Sequence, residues 1–309
     1  MKVVIAEPIA EKLSDLISDN NKDWVVFADG PKSKQEFIDR IKDAEVATAY
    51  TMKFDEEILA QCSKLKYLAI PAVGAGSYVD MDAAKRHGVI VMNCPGYNSK
   101  AVAEMAIGMA LDVYRNISVL NTKMKQGYWE HKPTNGRLLS GKHIAIIGYG
   151  NVGKTIHKLL KEWCSGFNTI NSASSSDAID KALQVSDVVF LCCQQNSFTE
   201  GMINAKRLAM MKNNAILINV SRGAIVDEDA LYEKLKYGEI AGAGLDVFVE
   251  EPGVVDVMPE NILRFTRLEN VICTSHVAGS SVETREVLGQ MIYDNIESCI
   301  LGSPVNVFN

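Results

Sequence analysis

Arg222, Glu251 and His276 have the side-chain types that reduction of a 2-keto acid demands. A guanidinium grips a carboxylate through two parallel N–H···O bonds, which a lysine cannot reproduce. It also places positive charge where a carbonyl oxygen turns negative. An imidazole moves a proton near neutral pH, and a neighbouring carboxylate favours its charged form. Upstream stands Gly148-Tyr149-Gly150-Asn151-Val152-Gly153, a GxGxxG turn. It follows the apolar run His143-Ile144-Ala145-Ile146-Ile147 and opens a helical stretch at 151–163, the context that dinucleotide binding requires. Gly148 permits the tight turn, Gly150 lets backbone approach the pyrophosphate, and Gly153 lets the helix pack on the sheet. The helix N-terminus then offers unpaired N–H groups to phosphate. Singly, each residue has an ordinary structural explanation; jointly they point to hydride transfer.

The elements that must hold these groups follow from the apolar pattern. Candidate strands at 2–6, 24–28, 46–50, 65–70 and 89–93 alternate with amphipathic stretches such as 9–17 and 34–41, as in parallel α/β sheets. The stretch 98–126 contains no proline; as one helix it would be roughly 40 Å long and could cross between two domains. Pro133-Thr134-Asn135-Gly136 breaks the pattern, and further strands are expected at 143–148, 167–171, 187–193, 215–220, 242–248 and 271–275. A last helical stretch, 282–301, has the length to return to the first domain. The expected division is a substrate domain over 1–97, a cofactor domain over 98–281 and a C-terminal segment, 282–309, rejoining the first.

With 309 residues the chain has room for two such cores, and 47% hydrophobic with 23% charged residues is ordinary soluble composition. A net charge of −6 gives no electrostatic reason to expect nucleic acid or an anionic membrane. No run approaches the roughly 18 apolar residues of a membrane span, and the first residues lack a signal pattern, so a cytoplasmic location is expected. Seven cysteines show neither metal spacing nor a disulfide framework. Cys192-Cys193 end an apolar run and read as core or pocket lining. His87, His131, His143 and His157 fit no catalytic frame and are read as structural or surface residues.

With the turn, the trio and the proline-free stretch in place, the chain resembles the D-2-hydroxyacid dehydrogenases, NAD(P)-dependent oxidoreductases. The likeness covers nearly the whole chain and is strongest at 219–228, at Gly244-Leu245-Asp246-Val247-Phe248 and at Glu251-Pro252. The Arg222–Glu251 and Glu251–His276 intervals also lie in the family's range. The resemblance implies two doubly wound parallel-sheet domains, a Rossmann cofactor domain and a flavodoxin-like substrate domain, joined by crossover helices. It implies an active site in the cleft and a homodimer. It implies Arg222 as the clamp on substrate carboxylate and carbonyl, His276 as the acid/base and Glu251 as its partner. Asp246 would orient the nicotinamide carboxamide. Cofactor contacts would come from Gly148, Gly150, Asn151, Val152, Gly153, Asn171, Cys193, Gln194, Thr199 and Val220. Substrate contacts would come from the backbone at Val73, Gly74 and Ala75, and from Tyr50 and Met52.

The chain departs from the family at the adenosine side. Where the family usually has an Asp ending the second cofactor strand, this chain has Asn171, and the segment 171–187 is short. Losing the carboxylate removes repulsion against a 2′-phosphate, yet no arginine stands nearby to attract one, which leaves NAD and NADP both open. Tyr50-Thr51-Met52-Lys53 lacks the arginine of some phosphoglycerate-using members and suits a neutral, partly apolar substrate side chain. The expected activity is hydride transfer between NAD(P)H and a small 2-keto acid to give a (2R)-hydroxy acid. Two alternatives stand beside it: formate or phosphite oxidation on the same fold, and, from another class, a nucleotide-sensing binding protein of the corepressor kind. An intact acid/base trio argues against the second.

Overall fold

A computed structural model describes residues 1–20, 22–129, 136–252 and 257–308. Most of the expected 133–136 break, and His131, lie outside them. The chain divides into two compact α/β units, one of residues 1–98 with 280–309 and the other of residues 99–279.

The first unit runs β1 (Val3–Ile5), α1 (Glu11–Asp19), β2 (Val25–Val26), α2 (Lys34–Ile41), β3 (Val46–Thr48), α3 (Glu56–Gln61), β4 (Tyr67–Ala69), α4 (Met81–Arg86) and β5 (Ile90–Met92). Its sheet has the order β2-β1-β3-β4-β5 and every pair is parallel. That is the flavodoxin-like order. Strand alternation sends Val4 and Ala47 to a core with α2 and α3, and Val3, Ile5 and Val46 to a core with α1. Side chains of Ser33, Asp55 and Asp80 cap α2, α3 and α4 by accepting amide hydrogens of their first turns. The C-terminal helix, Val282–Ile300, starts with a Ser281–Thr284 capping box and packs on α1.

In the second unit the expected long helix is two helices, α5 (Ser99–Arg115) and α6 (Ile117–Lys125). Asn116 adopts φ 55°, a left-handed conformation that asparagine tolerates better than most residues. Buried Asp112 accepts the Ser118 N–H at 2.6 Å and so draws the chain into a new start. By itself α5 is about 26 Å long.

There follow β6 (His143–Ile147), α7 (Asn151–Leu160), β7 (Gly166–Ile170), α8 (Ser176–Val185), β8 (Val188–Leu191), α9 (Ala205–Leu208), β9 (Ile216–Asn219), α10 (Glu228–Lys236), β10 (Gly242–Leu245), α11 (Glu260–Thr266) and β11 (Val271–Cys273). The parallel sheet has the order β11-β10-β9-β8-β6-β7. Ile144 and Ile146 face the core under α5 and α7, whereas Ala145 and Ile147 face the one under α8 and α10. Among the described residues one strand, β7, stands outside β6, where the 3-2-1-4-5-6 dinucleotide order has two. The reason is local: between β7 and β8 the chain has room for α8 alone. The order reverses between β6 and β8, so a ligand belongs at their carboxyl ends.

Candidate active site

Strand β6 delivers the chain to Gly148, whose φ is +102°. A Cβ there would lie 2.3 Å from Cys193 N, so only glycine lets the turn nest against the end of β8. A Cβ at Gly153 would lie 2.3 Å from Gly148 O, so α7 starts directly over the turn. Gly150 faces open space and caps α7 with no side-chain acceptor. The first amides of α7, at Asn151 and Val152, are thereby left to an anion. A tight turn, open space and uncapped amides at one switch point fit a dinucleotide pyrophosphate.

The wall beside the turn is built from the other expected residues. Cys193 O accepts from Ser221 Oγ, Thr199 Oγ1 donates to Gln194 O at 2.7 Å, and Val220 is buried. All seven cysteines are free. Burial pushes the Cys193 thiol up to about 11 and raises Cys192 as well, so both stay neutral near pH 7. The two side chains pack toward opposite cores, consistent with lining rather than a dithiol. Asn171 follows β7 and is exposed; its Oδ1 accepts the Ala173 N–H at 2.9 Å in a local turn, leaving the amide NH₂ to a ligand.

The catalytic candidates come from the ends of three adjacent strands. Arg222 leaves β9 exposed, its backbone fixed by Asn219, whose Nδ2 donates to Arg222 O at 3.0 Å. Asn219 Oδ1 meanwhile accepts the Ser221 N–H at 3.1 Å. Glu251 stands in the loop after β10, its Oε1 accepting the Phe248 N–H at 3.0 Å. Its Oε2 lies 2.6 Å from His276 Nδ1. His276 follows β11 with φ 55°, a conformation a non-glycine residue adopts only when its surroundings hold it there.

Asp246 does the holding. Its backbone O accepts the His276 N–H at 2.8 Å, and its carboxylate accepts Val277 and Ala278 N–H at 3.0 Å each, with Thr274 Oγ1 as a further donor. Asp246, at 1% exposure, thus holds this turn; the resemblance implies it as a nicotinamide acceptor besides. Asn219, Ser221 and Thr274 were not singled out from the sequence as site residues. Their polar types at strand ends were the available signal, but their partners are set only by the parallel register of β8 to β11.

The hydrogen bond to Glu251 raises the pKa of His276; burial and Arg222 oppose it, while the charges of Glu251 and Asp246 add to it. Burial pushes Glu251 up, but its bonds from His276 and Phe248 and the nearby positive charges win, and its pKa is lowered. Both shifts favour imidazolium against carboxylate. Nδ1 is committed to Glu251, so Nε2 is the atom left to give or take a proton.

The remaining expected residues lie in the first unit. Among the described residues, the Val73 and Gly74 amides, at the entry to a short 3-10 turn (Ala75–Ser77), donate to no group of the chain. Asn93 Nδ2 supports this loop by donating to Val73 O at 2.5 Å. Tyr50 is 42% exposed and Met52 packs partly against the α2/α3 core.

Residues 107–278, more than half of the chain, match the family "D-isomer specific 2-hydroxyacid dehydrogenase, NAD binding domain". This chain belongs to the D-2-hydroxyacid dehydrogenase family. It is 34% identical over 282 residues to a glycerate dehydrogenase of Methylorubrum extorquens, with 88% of each protein covered. It is 33% identical to a D-3-phosphoglycerate dehydrogenase of Archaeoglobus fulgidus over 99% of this chain but 58% of that protein. The chain thus spans little more than half the length of that dehydrogenase. Among solved structures, an acyclic imino acid reductase in complex with NADPH and D-Arg superposes with a TM-score of 0.86 at 29% identity over the full length of both chains. No helix among the described residues is long and apolar enough to cross a membrane.

Proposed function

We propose that this D-2-hydroxyacid dehydrogenase reduces a small 2-keto acid to a (2R)-hydroxy acid with NADH or NADPH. The observation that carries the reading is the His276–Glu251 pair, 2.6 Å apart and biased toward imidazolium, with Arg222 near enough to act on both charges. Bound dihydronicotinamide supplies the hydride. Arg222 holds the substrate carboxylate and draws charge toward the carbonyl oxygen. His276 Nε2 gives that oxygen its proton, and Glu251 stabilises the imidazolium until then. Asp246 keeps the imidazole at the required angle, and the Val73–Ala75 amides suit a carboxylate. The Gly148–Gly153 turn and the start of α7 would hold the pyrophosphate, with Asn171 toward the adenosine ribose.

The neutral Tyr50–Met52 loop, without the arginine of some phosphoglycerate-using members, favours glyoxylate, hydroxypyruvate or a longer 2-keto acid over a phosphorylated one. The working form is a cytoplasmic homodimer. Supporting the dimer, α6 buries none of its residues, and Ile117, Met124, Tyr128, Trp129 and Leu138 expose apolar surface. The test is loss of NADH or NADPH absorbance against a panel of 2-keto acids. Turnover with at least one supports the reading, and cofactor binding without turnover across the panel rejects it.

A further inference from the structure

The loop that carries Glu251 is pinned at two places outside the catalytic trio. Beneath it, a Cβ on Gly223 would lie 2.0 Å from Phe248 C and 2.3 Å from Val249 N, so the Gly223 backbone and the loop are in direct contact. Beside it, the Val249 N–H donates to Glu228 Oε1 at 2.7 Å. Glu228 is the first residue of α10, whose capping residue is Asp227. The neighbouring amide, Phe248 N–H, donates to Glu251 Oε1. Two consecutive amides of one short loop therefore bind two carboxylates, one structural and one facing His276.

We infer that Glu228 is a positioning residue: by holding the Val249 amide it fixes the loop geometry that sets Glu251 on His276. The chemistry suits the task. Glu228 is half-buried, and Arg264, Asp229 and Glu250 are among the charged groups acting on it. Arg264 also pairs with Asp229, at 2.6 Å. Burial raises the Glu228 pKa, yet the bond from Val249 opposes that rise. The contact between Glu228 and the pair is the loop itself, through Val249 on one side and Phe248 and Glu251 on the other. Replacing the charge of Glu228 while keeping its acceptor separates an effect through the loop from one through space. The inference rests on reading His276 and Glu251 as the acid/base pair.

The test is NMR titration of His276 in the protein without cofactor, assigned with His276→Ala, in wild type and three variants. Glu228→Ala removes the acceptor, Glu228→Asp keeps the charge but withdraws the acceptor, and Glu228→Gln keeps the acceptor without charge. The His276 midpoint should fall in Ala and Asp and return toward wild type in Gln. In turnover, kcat/KM on the alkaline side should fall about two- to tenfold in Ala and Asp, the range for one lost hydrogen bond. An unmoved midpoint in Ala and Asp, whatever happens to their melting temperatures, overturns the inference. So does a Gln midpoint as low as that of Ala, which would make the effect one of charge. The titration reads the pair whether or not a keto acid is reduced, so this failure is distinct from failure of the proposed activity.

Discussion

Glu251→Gln isolates the charge in the acid/base pair, because the amide keeps the size of the carboxylate and can still accept from Phe248 through its oxygen. What it loses is a charge-assisted bond of 2.6 Å to His276 Nδ1. Such a bond is worth about 1.5–3 kcal/mol when shielded. Here the side chains are 47% and 33% exposed, so solvent screening reduces it to about 1–2 kcal/mol. That corresponds to roughly a five- to thirtyfold change in the ratio of charged to neutral imidazole. The sign follows from the direction of the shift. Glu251 raises the His276 pKa, so its removal lowers it, and the protonated donor disappears earlier as pH rises. The alkaline limb of keto-acid reduction should therefore move to lower pH. Oxidation of the hydroxy acid needs neutral His276, so its acid limb should move to lower pH as well. The assay is kcat/KM against pH in both directions for wild type and variant. Limbs that stay put, move upward or move in opposite directions would refute Glu251 as the partner of His276.

Arg222→Lys should raise KM strongly and lower kcat, because the two-pronged grip acts in ground and transition states alike; unchanged kcat/KM for the best keto acid would make Arg222 a surface cation only. At Asn171 an amide neither repels nor captures a 2′-phosphate, so kcat/KM for NADPH and NADH should lie within about thirtyfold, or ~2 kcal/mol. Asn171→Asp should tilt that ratio toward NADH and Ser172→Arg toward NADPH; a ratio unmoved by Asn171→Asp would place another residue at the ribose.

Much of this fold is written in short-range pattern. The run 143–147 shows itself as a buried strand through its apolar residues, and the glycines after it show the turn through spacing alone. Arg222, Glu251 and His276 stand out because residue type and interval coincide. The break at Asn116 was hidden because neither glycine nor proline marks it; it depends on Asp112 reaching forward to Ser118. The backbone hydrogen bonds that Asp246 and Glu228 accept were hidden for another reason. Each is decided by which loop the parallel register brings beside it, and a carboxylate that clamps backbone has the same letter as one that faces a ligand. The missing strand beyond β7 lay in between: the short 171–187 segment was visible, and its consequence for strand order needed the sheet.

The central claim is that His276 is the proton donor in making a (2R)-hydroxy acid. It is tested most directly by running wild type and His276→Ala side by side on the best keto acid, with chiral analysis of the product and a separate cofactor titration. Wild type should yield the (2R) product alone. The variant should bind cofactor as wild type does, with kcat lower by about 10²- to 10⁴-fold. Equal turnover in the two proteins, or a (2S) product from wild type, would contradict it.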